Sequence, residues 1–191
     1  MARYPNWGAT TTELTRVMDG DYLVTGTTYV STMAVTIDAR LEDTWPWLAQ
    51  MGYRRGGLYS YDWLDRLVGF LDRASADRVL PEYQHISPGD VIPLGRGPGL
   101  AVRAVQPGHI LVLGGEVDNF VWIWQFALYS VYGHRTRLVT RYTARIPRSI
   151  GGFFFRWWLK PAAFLMTRRL LLGIKERAER LSIERREARA A

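Results

Sequence analysis

The chain has 191 residues and a formal net charge of +7, with 48% hydrophobic and 23% charged residues. This length and composition predict a single globular domain and exclude a disordered or fibrous chain. The absence of cysteine excludes a disulfide scaffold and a thiol nucleophile, and the three histidines are too widely spaced for a metal-ligand pair, so neither a metal nor a cofactor is expected.

The first third of the chain predicts one strand and two short helices. Residues 1–28 show no clear hydrophobic period and are predicted to form an N-terminal extension. Alternation over residues 29–38 predicts a strand, and apolar spacing over residues 41–51 predicts a helix that ends at Gly52. A second helix is predicted over residues 59–71, with an apolar face made of Trp63, Leu64, Leu67, Val68 and Leu71.

The middle of the chain is predicted to form an antiparallel meander. Short turns join strand patterns over residues 91–94, 100–105, 110–113, 120–128 and 134–146. The fourth of these alternates a bulky set with smaller residues, the bulky set being Phe120, Trp122, Trp124, Phe126 and Leu128. The fifth places four arginines on one face, which is either a solvated convex face or an anion clamp: Arg135, Arg137, Arg141 and Arg145.

The last predicted element is a helix over residues 161–186, about 39 Å long at 1.5 Å per residue. Its apolar stripe consists of Phe164, Leu171, Ile174, Ala178 and Leu181. One long helix with one apolar stripe requires a sheet to cover it. Residues 148–191 hold 11 basic and 4 acidic residues, whereas residues 1–147 hold 14 of each, so the whole positive excess lies in this stretch.

This order of elements resembles the START-like superfamily, which includes polyketide cyclases and lipid-transfer domains. Residues 34–39 followed by residues 45–52 look like its first strand and helix. The run Gly56-Gly-Leu-Tyr-Ser-Tyr-Asp-Trp-Leu-Asp65 is similar to a bacterial subgroup labelled polyketide cyclase or lipid transport, as are residues 81–84, 88–93 and 136–141. The match covers roughly residues 29–181.

The resemblance implies an α+β helix-grip fold, in which a curved antiparallel sheet wraps around the C-terminal helix and leaves an apolar cavity between them. It implies a single START-like domain over residues 29–186, followed by a basic tail over residues 187–191. The superfamily is defined by its architecture, so the resemblance names a fold and not a reaction.

Several side chains are candidates for the wall of such a cavity, with ordinary core packing as the alternative. The strands contribute Trp122, Trp124, Phe126, Leu138 and Tyr142, and the helix contributes Phe164 and Leu171. Tyr59 and Trp63 are candidates for the cavity mouth. Arg103 is a further candidate, because it sits in an otherwise apolar strand and alternation does not fix its face.

Candidates for acid-base chemistry are few. Asp62 could act as a general base, but an aspartate at a helix start is also explained as a cap. Glu82 and His85 could form an acid-base pair, or they could lie in a surface turn. There is no nucleophile elbow and no nucleotide-binding motif in the sequence.

The aromatic-basic segment at residues 153–160 suits a membrane interface, with contact extending through residue 175, and suits equally a cavity lid or a subunit contact. The basic residues of the C-terminal helix are interleaved with four glutamates, so nucleic acid is not expected as a partner. The N-terminus lacks an apolar signal region and no uncharged run is long enough to span a bilayer, which predicts a cytoplasmic protein.

Three functional hypotheses follow from these patterns. In the first, the protein binds a hydrophobic small molecule, lipid or polyketide-like, between the sheet and the C-terminal helix. In the second, the same cavity belongs to a cyclase-type enzyme with a positioned acid or base. In the third, the protein is an accessory protein that contacts a membrane or a partner through its aromatic-basic helix.

Overall fold

The computed structural model of the protein describes residues 6–67, 69, 71–97, 99–117, 120–146 and 160–190. Six strands form one antiparallel sheet in the order β1-β6-β5-β4-β3-β2. The strands are β1 (Tyr29–Ile37), β2 (Val91–Ile92), β3 (Leu100–Gln106), β4 (Ile110–Val117), β5 (Phe120–Val131) and β6 (Arg135–Arg145). The helices are α1 (Thr11–Thr15), α2 (Leu41–Ala49), α3 (Asp62–Leu67) and α4 (Lys160–Ala190).

The predicted α+β architecture is confirmed: a meander and two short helices, α2 and α3, lie between the first strand and one long C-terminal helix. Strands β5 and β6 set the inner face of the sheet, since Trp124 pairs with Tyr142 and Leu128 pairs with Leu138. Side chains directly opposite on adjacent strands point to the same face. We call this the inner face, and the side of Gln125 the outer face.

The main hydrophobic core lies between the inner face and the helices α2 and α4. The sheet contributes fully buried side chains such as Phe126 and Leu138, and α2 contributes Trp47. The middle turns of α4 fill the centre with Leu171 and Ile174. Each side chain of this size stabilises the fold by about 1.5–3 kcal/mol through its burial, so this core fixes α4 on the sheet.

Helix α2 contains a proline, and α4 compensates for it. Pro46 has no N–H group, so the carbonyl of Glu42 lacks its helical donor. The guanidinium of Arg185 donates to this carbonyl at 3.3 Å and to the buried Asp43 carboxylate at 2.6 Å. The end of α4 is therefore tied to the start of α2.

The outer face is covered by residues 6–28, and the prediction of a solvated arginine face is wrong there. Arg141 is only 4% exposed. It donates to Asp21 at 2.5 Å, to Thr32 at 3.0 Å and to the main-chain carbonyls of residues 13, 14 and 16. Arg137 donates to both carboxylate oxygens of Glu13, at 2.7 and 2.8 Å. The arginines bind the chain's own N-terminal segment.

The second predicted helix is shorter than its hydrophobic pattern indicated. Helix α3 has six residues, and Trp63 and Leu67 of its predicted apolar face are 64% and 76% exposed. The buried position is instead Asp65, which is inaccessible to solvent. A six-residue helix buries only one or two positions, so the apolar period over residues 59–71 did not identify its inner side.

Candidate functional site

A cavity with a volume of about 260 Å³ lies between the inner face and the first turns of α4. Its walls are mostly apolar, and Trp122, Trp124 and Tyr142 form the sheet side. The remaining lining residues are Leu58, Ser60, Leu94, Leu100, Ala162, Ala163, Met166, Thr167 and Leu170. We call this space the large lobe.

A second space of about 100 Å³ adjoins the large lobe on the side of β1. Trp124, Tyr142, Ala163 and Thr167 line both spaces, so the two are direct neighbours, and we treat them as two lobes of one cavity. The other residues around this small lobe are Tyr29, Ser31, Met33, Thr140 and Phe164. Ala163 is exposed, so the cavity reaches the surface beside the first turn of α4.

The sequence of α4 explains why space remains here. The turns over the cavity carry the short side chains of Ala162, Ala163 and Thr167, whereas the next turns carry Leu171 and Ile174 and fill the core completely. Residues four apart lie on one face of a helix, so Ala163 and Thr167 face the sheet together. The large residues of α4 set its distance from the sheet, and the short residues leave space between the helix and the sheet.

Two polar side chains of the lining are hydrogen-bonded to each other. Trp124 Nε1 donates to Thr140 Oγ1 at 3.0 Å, and that hydroxyl donates to the carbonyl of Gln125 at 2.9 Å. The Tyr142 hydroxyl has no hydrogen-bond partner within the described part of the chain. Burial raises the pKa of Tyr142 above its usual value, so the phenol stays neutral and is available as a donor.

A buried carboxyl group, that of Asp65, is hydrogen-bonded to a lining residue of the large lobe. Ser60, a lining residue, donates its hydroxyl proton to Asp65 Oδ2 at 2.6 Å. Desolvation raises the pKa of Asp65, and the Ser60 bond acts in the opposite direction. Asp65 Oδ1 is buried and has no hydrogen-bond partner among the described residues. Such an under-coordinated carboxyl group is rare in a protein interior.

Four of the ten predicted ligand-binding residues lie in the lining. Trp122, Trp124 and Tyr142 line the large lobe, and Phe164 lines the small one. Three others are fully buried in the main core and lie outside the lining, namely Phe126, Leu138 and Leu171. They pack the region where α4 already fills the space.

The remaining three predicted residues also lie outside the lining, each for a separate reason. Tyr59 is buried beneath α4, with its ring edge-on to Trp47 at a centroid distance of 6.0 Å. Trp63 is exposed on α3. Arg103 is exposed at a register shift of β3 and lies over Gly114, on the outer face.

The catalytic candidates lie away from the cavity. The Asp62 carboxylate accepts hydrogen bonds from the main-chain N–H of Ser75 at 2.9 Å and from its hydroxyl at 2.6 Å. It therefore fastens a loop to the start of α3. Glu82 and His85 are exposed, at a short 3₁₀ turn and just after it. Neither residue lines either lobe.

Sequence reasoning missed the lining residues from loops and from α4. Leu58, Ser60 and Leu94 belong to irregular segments, in which no period identifies an inward face. For α4 the sequence did contain a signal for the cavity. Ala162, Ala163 and Thr167 have short side chains, whereas the following turns carry large ones.

The remaining predictions concern membrane contact and metal binding. Residues 153–159 of the aromatic-basic segment lie outside the described residues, so its membrane contact stays a prediction. No helix in the described part of the chain is long and apolar enough to cross a membrane. Within the same ranges, no three acidic or histidine side chains are grouped as metal ligands would be.

No family model and no curated protein matches the sequence. Among solved structures, the hypothetical protein jhp0584 from Helicobacter pylori is 9% identical, with a TM-score of 0.51 over 89% of this chain and 99% of that one. The Zhui aromatase/cyclase from Streptomyces sp. R1128 is 15% identical, with a TM-score of 0.44 over 80% and 94%. A norcoclaurine synthase point mutant from Thalictrum flavum, in complex with a transition-state analogue, is 11% identical, with a TM-score of 0.47 over 85% and 99%.

At such low identities these likenesses concern the fold alone. The fold is also evident from the chain itself: a six-stranded antiparallel sheet, two short helices after the first strand, and a long C-terminal helix packed on the inner face. The protein therefore has the helix-grip fold.

Proposed function

We propose that the protein binds a hydrophobic small molecule in the two-lobed cavity between the sheet and α4. One observation supports this above all: an apolar lining with two indoles and a neutral phenol, in which the described residues include no carboxylate or imidazole. Ligand pockets are typically apolar with a few placed polar groups. Burial of the ligand's apolar surface against Trp122, Trp124 and Met166 provides the binding free energy.

The size of the cavity restricts the ligand. Small-molecule pockets generally have volumes of about 300–1,000 Å³, and the large lobe, at about 260 Å³, is slightly smaller than this range. A flat molecule of one or two fused rings fits such a space better than a long acyl chain does. The flat faces of Trp122 and Trp124 favour the same class, because aromatic rings pack in stacked or edge-to-face contacts.

A cyclase-type reaction in the same cavity has less support. General acid-base catalysis needs a titratable group within hydrogen-bond reach of the reacting atoms. Asp62 is bonded to Ser75, and Glu82 and His85 are surface residues. We therefore propose binding as the function of this cavity.

The test is a titration of intrinsic tryptophan fluorescence with 2-methylnaphthalene. Thr167→Phe places a large side chain in both lobes, while Leu165→Phe places the same side chain on the exposed side of α4. We expect saturable quenching in the unmodified protein and in Leu165→Phe, and binding at least about tenfold weaker in Thr167→Phe. Equal affinity of the two variants, or no saturable quenching in the unmodified protein, would overturn the proposal.

A further inference from the structure

We infer that the ligand of this cavity carries a hydrogen-bond donor, an O–H or N–H group, that is accepted by Ser60 Oγ. This inference rests on the proposed function and specifies the chemical class of the ligand. It depends on how the Ser60 hydroxyl is used within the protein.

The Ser60 hydroxyl has acceptor capacity that no described residue uses. A serine hydroxyl has one hydrogen to donate and two lone pairs that accept. The hydrogen is directed to Asp65 Oδ2 at 2.6 Å, and no group in the described ranges donates to Ser60 Oγ. Because Ser60 also lines the large lobe, its unused lone pairs are available to a ligand there.

Asp65 holds this orientation firmly. Its main-chain N–H donates to the carbonyl of Tyr61 at 2.8 Å, and its carbonyl accepts from Leu71 N–H at 3.1 Å, so the backbone is fixed on both sides. The carboxyl group is inaccessible to solvent, and Ser60 is its one side-chain donor among the described residues. An ionised carboxylate only accepts hydrogen bonds, and losing its single donor in a buried site is costly.

A second serine-aspartate pair nearby shows what a purely structural pair looks like. Ser75 also donates to an aspartate, Asp62, at 2.6 Å. Unlike Ser60, the Ser75 hydroxyl accepts a hydrogen bond within the protein, from Tyr59 N–H at 3.1 Å, and it lies outside the lining of both lobes. The acceptor capacity of Ser75 is used within the protein, whereas that of Ser60, a residue of the cavity lining, is not used by any described residue.

The experiment compares two probes that differ in one hydrogen-bond donor, 2-naphthol and 2-methoxynaphthalene. Both have the same ring system and an oxygen that can accept a hydrogen bond from Tyr142, so their difference isolates the donor. We expect the unmodified protein to bind 2-naphthol about tenfold more tightly in a tryptophan-quenching titration. Ser60→Ala should reduce this preference to within about twofold, and its affinity for 2-methoxynaphthalene is measured alongside as the check that the cavity is intact.

Two further variants separate orientation from folding. Asp65→Asn supplies an amide N–H that donates to Ser60 Oγ, which occupies its lone pair and lowers the preference for 2-naphthol. Ser75→Ala is the matched control and should keep the preference. Equal affinity of the unmodified protein for both probes, or a preference that persists in Ser60→Ala, overturns this inference and leaves the proposed function standing. Saturable binding of neither probe overturns both.

Discussion

Gly173 of α4 packs directly on the backbone of Tyr59. A Cβ atom at residue 173 would lie 2.8 Å from the Tyr59 Cβ and closer still to the Tyr59 carbonyl oxygen. Tyr59 has a φ of +54°, in the left-handed region that is uncommon for residues other than glycine. Its buried ring lies 4.8 Å from the Arg177 guanidinium. Helix α4 can therefore pack this closely on Tyr59 only because residue 173 has no side chain.

We expect Gly173→Ala to destabilise the protein, although alanine is the better helix former. Helix propensity favours alanine by about 1 kcal/mol, but steric overlap in a packed core costs about 1–3 kcal/mol or more, and here the overlapping atoms belong to the backbone. The expected net loss in the free energy of unfolding is about 1–2 kcal/mol by urea titration. Gly97→Ala is the control, because no atom lies within 4 Å of its added Cβ. Equal stability of the two variants would contradict this packing.

The buried guanidinium of Arg141 makes residues 6–28 part of the folded structure. Arg141→Met removes its bonds to Asp21, to Thr32 and to three main-chain carbonyls. Removing one partner of a buried ion pair costs about 3–5 kcal/mol, so we expect a loss of that size in urea titration. Arg135→Met, at an exposed position on the same strand, should change stability by less than about 0.5 kcal/mol. A loss of less than about 1 kcal/mol in Arg141→Met, which is the size of a surface effect, would show that the N-terminal segment is not held in this way.

The Glu13–Arg137 pair predicts a specific acid sensitivity. Its hydrogen bonds to Arg137 hold the pKa of Glu13 at about 2, well below the ordinary value of 4.5. A carboxyl group with a lowered folded-state pKa adds stability above its unfolded pKa, and that stability is lost as the pH falls from 4.5 towards 2. We expect Glu13→Gln to be less stable than the unmodified protein by about 2 kcal/mol at neutral pH, with the two converging near the lower end of this range.

The measurement is urea unfolding of both proteins across this pH range. Glu82→Gln, which alters an exposed carboxylate, serves as the control and should follow the unmodified protein throughout. A Glu13→Gln variant whose stability runs parallel to that of the unmodified protein at every pH would refute the role of this pair.

The contact between Arg185 and the proline-containing helix α2 gives a coupled prediction. Arg185→Met leaves the Asp43 carboxylate and the Glu42 carbonyl without this donor, and we expect a cost of about 1–3 kcal/mol. Pro46→Ala restores a main-chain N–H that can donate to the Glu42 carbonyl. A double-mutant cycle should therefore show that Arg185→Met costs less in the Pro46→Ala background. Strict additivity would exclude the coupling.

Local patterns were sufficient to predict the sheet and the long helix. Alternation over residues 120–128 correctly grouped Trp122, Trp124 and Phe126 on one face, because side chains in a strand alternate with a period of two. Alternation also grouped Arg137 and Arg141 on the other face. It gave no information on what covers that face, since their partners Glu13 and Asp21 are more than 100 residues away in the chain.

The site was only partly predictable, for a related reason. The aromatic side of the cavity belongs to a regular strand and was predicted, while Ser60 and Leu94 lie in irregular segments whose position depends on tertiary packing. The apolar pattern placed Trp63 inside, although the buried position of that short helix is Asp65. Asp65 can be buried in place of Trp63 because the Ser60 hydroxyl donates a hydrogen bond to its carboxylate.

Native mass spectrometry of the purified protein, before and after denaturing extraction, tests the existence of a ligand-binding cavity most directly. We expect the unmodified protein and Leu165→Phe to show an added mass that extraction removes, and Thr167→Phe to show the mass of the polypeptide alone. A protein purified without ligand should gain the mass of 2-naphthol on incubation. Retention of the added mass in Thr167→Phe, or no gain with any of the three naphthalene probes, would contradict the account of a binding cavity beneath α4.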